Sequence, residues 1–164
     1  MSEQRHKVIK LVRAKLSDIP AMQALIVFDV KEGIILERND DEVATSIRSY
    51  ILAKDKDKLV GYAALHIYSK RIAEIRSLIV NEAYRGQKIG QKIVKFALRE
   101  AKSLAVEEDI LVLTYLPNFF EKLGFEKIDK KKIPEDKIWT DCIKCTSFAT
   151  CDEIALIYKM PQEK

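Results

Sequence analysis

The sequence predicts a single domain of the α/β class, in its α+β form, with helices around a mixed sheet. Apolar residues alternate along several short segments and recur at helical spacing in longer ones, and the two kinds of segment are interspersed along the 164 residues. Hydrophobic residues make up 48% of the chain and charged residues 33%. This supply of apolar side chains supports a core and excludes a wholly disordered chain. We therefore expect one domain over residues 1–164.

A strand and a helix are the first expected elements. Residues 7–14 (KVIKLVRA) are strand-like, and Ser17 is the expected helix cap. Pro20 falls in the first turn of the helix, where its missing N–H costs little. Gly33 is expected to end this region. A second helix should begin at Asp40 or Asp41, with an apolar face formed by Val43, Ile47 and Ile51.

An antiparallel meander is expected next. It comprises residues 50–55 (YILAKD), 58–69 (KLVGYAALHIYS) and 71–80 (RIAEIRSLIV), and a charged turn separates the first two segments. In the last segment Glu74 and Arg76 share a face. This is unusual for a central strand because buried charge is costly unless it is paired or used.

A helix, a strand, a short helix and a final strand complete the pattern. Residues 87–104 have helical periodicity, 109–116 form a buried strand, 118–125 a short helix, and 152–160 the last strand. The long helix carries a row of cations, which we interpret as a solvated face: Lys88, Lys92, Lys95, Arg99 and Lys102.

The charge balance and the cysteines exclude several classes of protein. A net charge of +4 fits a small anionic ligand better than a nucleic-acid groove. No apolar run approaches the length of a membrane span, and the first residues (MSEQRHKVIK) lack a signal-peptide core. Three cysteines are an odd number, so we expect no disulfide framework and a cytoplasmic location.

The strongest local signal is the turn between the strand at 71–80 and the long helix. Arg85 and Gly86 lie in this turn, where free N–H groups and the positive end of the helix dipole would meet an anion. Gly86 and Gly90 remove Cβ atoms where a ligand or a strand must come close. The turn predicts a phosphate-like anion near residues 85–90, and an ordinary strand-to-helix connection is the alternative.

These residues carry a family resemblance. Residues 78–90 resemble the acetyl-CoA loop of the GNAT superfamily of N-acetyltransferases, with its pattern Arg/Gln-x-x-Gly-x-Gly/Ala. Residues 118–125 (NFFEKLGF) are similar to the Phe-Tyr-x-x-x-Gly-Phe region of that fold, and 12–20 (VRAKLSDIP) to its first strand and helix. The resemblance implies a mixed, mostly antiparallel central sheet flanked by helices, with acetyl-CoA as co-substrate. It also implies coenzyme contacts from Leu78, Ile79, Val80, Arg85, Gly86, Gln87, Lys88, Ile89, Gly90 and Asn118.

Two residues depart from the pattern. Lys88 stands at the first glycine position, where a left-handed backbone would cost roughly 1–2 kcal/mol. We therefore expect ordinary helical geometry at Lys88, with its ammonium helping to hold a phosphate. Phe120 stands where many relatives carry a tyrosine that protonates the departing thiolate. Phenylalanine cannot do this, and the nearest hydroxyl in the sequence belongs to Tyr115.

Acetyl transfer to an amine needs a base because an ammonium is not a nucleophile. Glu74 is the candidate base, since GNAT relatives often place theirs on the strand that leads to the coenzyme loop; a structural salt bridge with Arg76 is the alternative. Backbone N–H groups of residues 78–80 are expected to polarise the thioester carbonyl. Tyr115 is the candidate acid, and a core tyrosine with a local partner is the alternative.

The acceptor amine is suggested by two further stretches. Residues 31–38 (KEGIILER) resemble the Gly-x-Leu-x-x-Arg-Ser segment of N-acetylglutamate synthases, although Asn39 replaces the serine. Residues 137–155 resemble a signature of the short, single-domain bacterial members. The resemblance implies synthesis of N-acetyl-L-glutamate from L-glutamate and acetyl-CoA, the entry step of arginine biosynthesis. Guanidinium groups hold carboxylates bidentately, which favours Arg38 and Arg76 as substrate ligands, with Lys137 as a third cation; structural pairing of Arg38 is the alternative.

Other functions remain open at this stage. The acceptor could be another small amine or a protein N-terminus, or the chain could be a non-catalytic regulator that binds acetyl-CoA or a metal. Three cysteines lie close together, at Cys142, Cys145 and Cys151. The first two have the spacing of a zinc-binding pair, but a structural zinc needs four ligands. A packed loop or a redox-sensitive pair are the alternatives, and no metal is our expectation. The expected partner is a small molecule such as L-glutamate, not a nucleic acid or a membrane, and a homodimer is one candidate assembly.

Overall fold

The computed structural model describes residues 8–133 and 153–162. Seven strands in these ranges form a sheet with the spatial order β1-β2-β3-β4-β5-β7-β6. Pairing is parallel between β4 and β5 and antiparallel in the pairs β1–β2, β2–β3, β5–β7 and β6–β7. This confirms the mixed, mostly antiparallel sheet. The strands are β1 (Ile9–Arg13), β2 (Tyr50–Asp55), β3 (Lys58–Ile67), β4 (Ile72–Val80), β5 (Asp109–Thr114), β6 (Glu126–Ile128) and β7 (Ile154–Lys159).

The helices are α1 (Ile19–Lys31), α2 (Asp40–Thr45), α3 (Ile89–Ser103) and α4 (Pro117–Glu121). The first helix has Pro20 in its first turn and is followed by Gly33 with φ +72°, as expected for its two ends. The expectation that Ser17 caps this helix is wrong. Ser17 lies inside a short 3-10 turn, where the carboxylate of Asp18 accepts the Lys15 N–H at 2.8 Å instead.

The second helix is shorter than its apolar periodicity predicts. It begins at Asp40, and Asn39 caps it by accepting the Glu42 N–H at 2.9 Å. Val43 is buried as expected, but Ile51 belongs to β2 and not to the helix. The reason is that residues 50–55 pair with both β1 and β3, and these two ladders outweigh the helical spacing of isolated apolar residues. Strand β6 was not predicted, because three residues are too short for an alternating pattern.

The chain divides into two compact units. The first unit comprises Met1–Ala64 and Ser77–Phe96, and the second Leu65–Arg76 and Ala97–Lys164. The first unit has a core in which one face of α1 packs against residues of β2 and β3. Among them, Tyr50 and Tyr62 contact each other edge to face, with 5.7 Å between their ring centroids.

The second unit contains a row of aromatic rings beside its last strands. Phe120 is buried, and its ring centroid lies 5.3 Å from that of Phe125, which in turn lies 5.4 Å from that of Tyr158. Gly124 has φ +97°, and a Cβ there would lie 3.2 Å from the Tyr158 ring. The absence of a Cβ at Gly124 therefore permits both the left-handed backbone after α4 and the close approach of the Tyr158 ring.

An ion pair ties the start of α1 to β2 and makes the stability of the first unit depend on pH. The ammonium of Lys54 lies 2.9 Å from Asp18, whose other oxygen accepts the Lys15 N–H. Burial opposes ionisation of Asp18, but the Lys15 N–H and the Lys54 charge outweigh it and hold the pKa below its usual value. A lowered folded-state pKa stabilises the protein above the unfolded pKa, and this contribution is lost as the pH falls through the folded value.

We predict that Asp18→Asn lowers the free energy of unfolding by about 1 kcal/mol at pH 7, because a charge-assisted hydrogen bond and an ion pair are lost. Urea unfolding of both proteins at pH 7 and near pH 2.5 measures this. The difference should shrink at the lower pH, as protonation of the wild-type carboxyl removes the charge on which this contribution depends. An equal difference at the two pH values would show that the carboxylate charge contributes nothing.

Candidate active site

The segment that leads into α3 is built from a short turn and an exposed loop. After β4 ends, the side chain of Asn81 accepts the Ala83 N–H at 2.9 Å and starts a 3-10 turn over Glu82–Tyr84. Residues 85–88 are exposed, and the 15-residue helix α3 begins at Ile89. The first-turn N–H groups of a helix have no acceptor within that helix, so they and the helix dipole favour an anion at this end.

Two residues of this loop have left-handed backbones. Gly86 has φ +81°, and a Cβ there would meet nothing within 4 Å. Lys88 has φ +62°, so the expectation of ordinary helical geometry at Lys88 is wrong. The path of the chain into α3 requires the conformation that glycine would adopt freely, and the lysine adopts it at a cost of roughly 1–2 kcal/mol.

The loop is the candidate site for the phosphates of a coenzyme. Arg85 and Lys88 place two cationic side chains on its exposed part, and the Arg85 guanidinium donates to the Val80 carbonyl at 3.4 Å. The Ile79 and Ile89 side chains are buried in the core, so these two residues could contact a coenzyme through their backbone only. Open space at Gly86, two cations and the first-turn N–H groups of α3 make this loop the candidate site for a diphosphate.

Among the residues that the structure describes, Glu74 is the only polar or charged residue that is buried, with 1% of its surface exposed. The hydroxyl of Tyr68 donates a hydrogen bond to its Oε1 at 2.9 Å. Both residues belong to the second unit. The sequence analysis did not single out Tyr68, which immediately precedes the turn at 69–71. The Tyr68 N–H donates to the Ile72 carbonyl at 3.0 Å across this turn. A strict hairpin register would have placed it near Glu74.

Strand β4 is distorted after Arg76. The next residue, Ser77, has φ +59°, a conformation that an L-residue in a regular strand does not adopt. A left-handed residue turns the strand locally, as in a β-bulge, so the alternation of faces predicted for 72–78 does not continue unchanged beyond it. The Nε of Arg76 is buried. Glu74 and Arg76 belong to the second unit and Leu78, Ile79 and Val80 to the first.

The candidate acid lies at the end of β5. Tyr115 is 47% exposed, which excludes the alternative of a core tyrosine. Asn118 is exposed in α4, and the Phe120 side chain is buried against Phe119 and Phe125. Phe120 is therefore a packing residue.

Arg38 lines an open groove within the first unit. The groove has a volume of about 930 Å³, and its lining includes α1 and the start of α2. Gln23 on α1 donates to the Arg38 carbonyl at 2.8 Å and to Asp40 at 3.1 Å, which fixes the backbone at the entrance to α2. Arg38 is half-buried as a residue and its Nε is fully buried, so this group is not an ordinary surface charge.

Four residues singled out from the sequence lie outside the described ranges: Lys137, Cys142, Cys145 and Cys151. Across residues 8–133 and 153–162, no cluster of three histidine, cysteine or carboxylate side chains is arranged to hold a metal.

Comparisons with known proteins place the chain in a family. The model of the Acetyltransferase (GNAT) family matches residues 19–125. An uncharacterised N-acetyltransferase of Chlorobaculum tepidum is 35% identical over 144 residues, which cover 88% of this chain and 92% of that protein. The amino-acid acetyltransferase of Mycobacterium tuberculosis is 29% identical over 153 residues, 91% and 86% of the two chains.

Solved structures share the fold. N-acetylglutamate synthase from Neisseria gonorrhoeae, in complex with coenzyme A and N-acetyl-glutamate, superposes with a TM-score of 0.83 at 19% identity. The match covers 96% of this chain but only 36% of that longer one. A Mycobacterium tuberculosis protein in complex with coenzyme A and a ligand designated NLQ gives a TM-score of 0.76 at 26% identity, with 93% and 99% covered.

The chain therefore belongs to the GNAT family of acetyltransferases. It is an N-acetyltransferase that uses acetyl-CoA as co-substrate. No helix of the described residues is both long enough and apolar enough to cross a membrane.

We predict that Lys88→Gly raises the free energy of unfolding by about 1 kcal/mol, because glycine adopts the left-handed backbone without the steric cost. The matched control is Lys92→Gly, one turn further along α3, which should lower it by about 1 kcal/mol through loss of helix propensity. Urea unfolding measures both variants. Destabilisation by both substitutions would contradict a strained Lys88.

Proposed function

We propose that this enzyme transfers the acetyl group of acetyl-CoA to the α-amino group of L-glutamate by direct attack of the amine. The product, N-acetyl-L-glutamate, would enter arginine biosynthesis in the cytoplasm. The observation that carries the proposal is the groove at Arg38, whose charges match those of an amino acid. Relatives named amino-acid acetyltransferase and the structural likeness to an N-acetylglutamate synthase support it.

The groove carries charges of both signs. Arg38 and Lys31 contribute cations, and Glu37, Asp40 and Asp41 contribute carboxylates. L-Glutamate is complementary to such a surface because it presents one ammonium and two carboxylates. A guanidinium can hold a carboxylate through two parallel hydrogen bonds, which gives Arg38 the role of the principal carboxylate ligand.

The environment of Arg38 supports a ligand role. Burial raises the pKa of the Tyr62 hydroxyl well above its usual value, and the nearby charge of Arg38 opposes this rise. Arg38 thus lies close to the apolar core of the first unit, where a charge interacts more strongly than in water. Arg76, whose Nε is buried, and Lys137 are the proposed ligands of the second carboxylate.

Glu74 is the proposed general base. The reaction requires it to take a proton from the substrate ammonium, directly or through a water, before the nitrogen attacks the thioester carbonyl. The carboxylate is enclosed, and the Tyr68 hydroxyl donates a hydrogen bond that restrains its Oε1. A buried, hydrogen-bonded carboxylate loses little freedom on reaction, which favours proton transfer.

The remaining steps need a polarised carbonyl and a leaving group. Backbone N–H groups of Leu78, Ile79 and Val80 are the proposed donors to the carbonyl oxygen as the carbon–nitrogen bond forms and the carbon–sulfur bond breaks. Tyr115 is exposed and could donate a proton to the thiolate. Since a thiol has a pKa of about 8.5, the thiolate leaves readily and this acid is helpful but not essential.

Asn118 is proposed to contact the coenzyme, and a homodimer is the proposed assembly.

We predict that Glu74→Gln lowers kcat about 100-fold while the dissociation constant of acetyl-CoA stays unchanged, because the amide cannot accept the proton. Thiol release at saturating substrates and calorimetry measure the two quantities. The control is Glu108→Gln, which removes a surface carboxylate that pairs with Arg71 at 3.9 Å and should change neither. An unchanged kcat, with chemistry shown to be rate-limiting, would exclude Glu74 as the base.

A panel of acceptor amines tests the substrate. We predict selective turnover of L-glutamate over neutral and basic amino acids, polyamines and peptides with a free N-terminus, measured as thiol release with acetyl-CoA. Selective turnover of another amine would show the same chemistry with a different acceptor and would refute the glutamate assignment.

Arg38 should determine acceptor affinity. We predict that Arg38→Ala raises the KM for L-glutamate at least about tenfold, the value of a charged hydrogen-bonded contact, and leaves the KM for acetyl-CoA within about twofold. Arg48→Ala, an exposed arginine in the 3-10 turn Ile47–Ser49, is the matched control and should change neither. An equal rise in both KM values would show that Arg38 has a structural role.

A further inference from the structure

The residue before the exposed coenzyme loop is a buried tyrosine. Tyr84 ends the 3-10 turn Glu82–Tyr84 and is 6% exposed, whereas residues 85–88 immediately after it are exposed. We propose that Tyr84 is a positioning residue: it fastens the coenzyme loop to the β2–β3 hairpin and thereby holds the phosphate-binding N–H groups in place. It acts through the loop and makes no contact with the coenzyme, and this role rests on the proposed binding of the coenzyme at residues 85–90.

The side chain of Tyr84 contacts both ends of the hairpin. Its hydroxyl donates a hydrogen bond to Asp55 Oδ2 at 2.8 Å, and the ammonium of Lys58 lies 5.3 Å from the centroid of its ring. Asp55 and Lys58 are themselves paired across the tight turn of this hairpin. One aromatic side chain thus makes a charge-assisted hydrogen bond and a cation–π contact with two adjacent strand ends.

The backbone before Tyr84 is held against the same hairpin. The Asn81 N–H donates to the Val60 carbonyl of β3 at 2.7 Å, and the Tyr84 N–H donates to the Asn81 carbonyl at 2.8 Å. A Cβ on Gly61 would lie only 2.8 Å from the Ile79 carbonyl, so β3 and the end of β4 are in direct backbone contact. The chain is therefore fixed up to Tyr84, the last anchored residue before the loop.

Such an anchor affects affinity because a loop that is already ordered loses less conformational entropy when it binds. The hydrogen bond to Asp55, aided by burial, raises the pKa of the Tyr84 hydroxyl. The hydroxyl consequently remains protonated and a donor at neutral pH. Removal of this hydrogen bond should loosen the loop without altering any group that takes part in acetyl transfer.

Binding and turnover should respond differently to loss of the anchor. Tyr84→Phe keeps the ring and removes only the hydroxyl, and Asp55→Ala removes the acceptor. Each should raise the dissociation constant of coenzyme A by about three- to tenfold, the effect of one lost hydrogen bond. Both should leave kcat at saturating acetyl-CoA within about twofold of wild type. The double variant should bind coenzyme A no more weakly than the single variant with the lower affinity, because both substitutions break the same contact.

Two further variants separate positioning from general destabilisation. Asp55→Asn retains an oxygen that can accept from Tyr84 and should bind coenzyme A about as well as wild type. Asp18→Asn breaks a different contact of the same unit, outside the loop, and should lower stability without changing coenzyme A affinity. Three results would each overturn the proposal. The first is an unchanged dissociation constant of coenzyme A in Tyr84→Phe, and the second is a double variant in which the two single effects on this constant multiply. The third is an equal rise of this constant in Asp18→Asn. A fall in kcat with unchanged affinity would do so as well.

Discussion

The structure depends on how the chain passes from β4 into α3. Between these elements it must expose a row of N–H groups at the start of a 15-residue helix, and two residues, Gly86 and Lys88, adopt left-handed backbones to do so. Glycine does this without strain, but lysine does not. The chain retains the conformation although the residue disfavours it, which shows that the turn is imposed by the packed elements on either side. The proposed recognition of the coenzyme depends on this geometry.

A second constraint is the burial of a carboxylate in β4. A buried charge costs several kcal/mol unless hydrogen bonds and charges compensate it, and in the described ranges Glu74 is the single charged or polar residue that is buried. Tyr68 supplies one hydrogen bond. A buried ionisable residue on this strand is a candidate for chemistry, and this is the basis on which Glu74 is proposed as the base. Its place four residues before Leu78 puts it on the strand that leads to the coenzyme loop.

The sequence was sufficient for six of the seven described strands, for α3 and for the turn that precedes it, because their signals are local. Alternation predicts β2, β3 and β4, and the helical stripe predicts α3. Features that depend on the neighbourhood of a residue were not predictable in this way. The left-handed backbone of Lys88 depends on the elements that flank the loop. The contact of Tyr84 with Asp55 joins residues 29 positions apart, for which a single sequence contains no signal.

The most direct test of the coenzyme loop is calorimetry of acetyl-CoA binding to the full chain and to Gly86→Val. A β-branched residue is strongly disfavoured at φ +81°, so the variant should bind at least about tenfold more weakly. Gly33→Val is the matched control, since Gly33 also has a left-handed backbone and open space around its missing Cβ but lies after α1. It should bind acetyl-CoA like the wild type. Equal affinity in all three proteins, or no affinity in the wild type, would contradict the assignment of residues 85–90 as the coenzyme-binding loop.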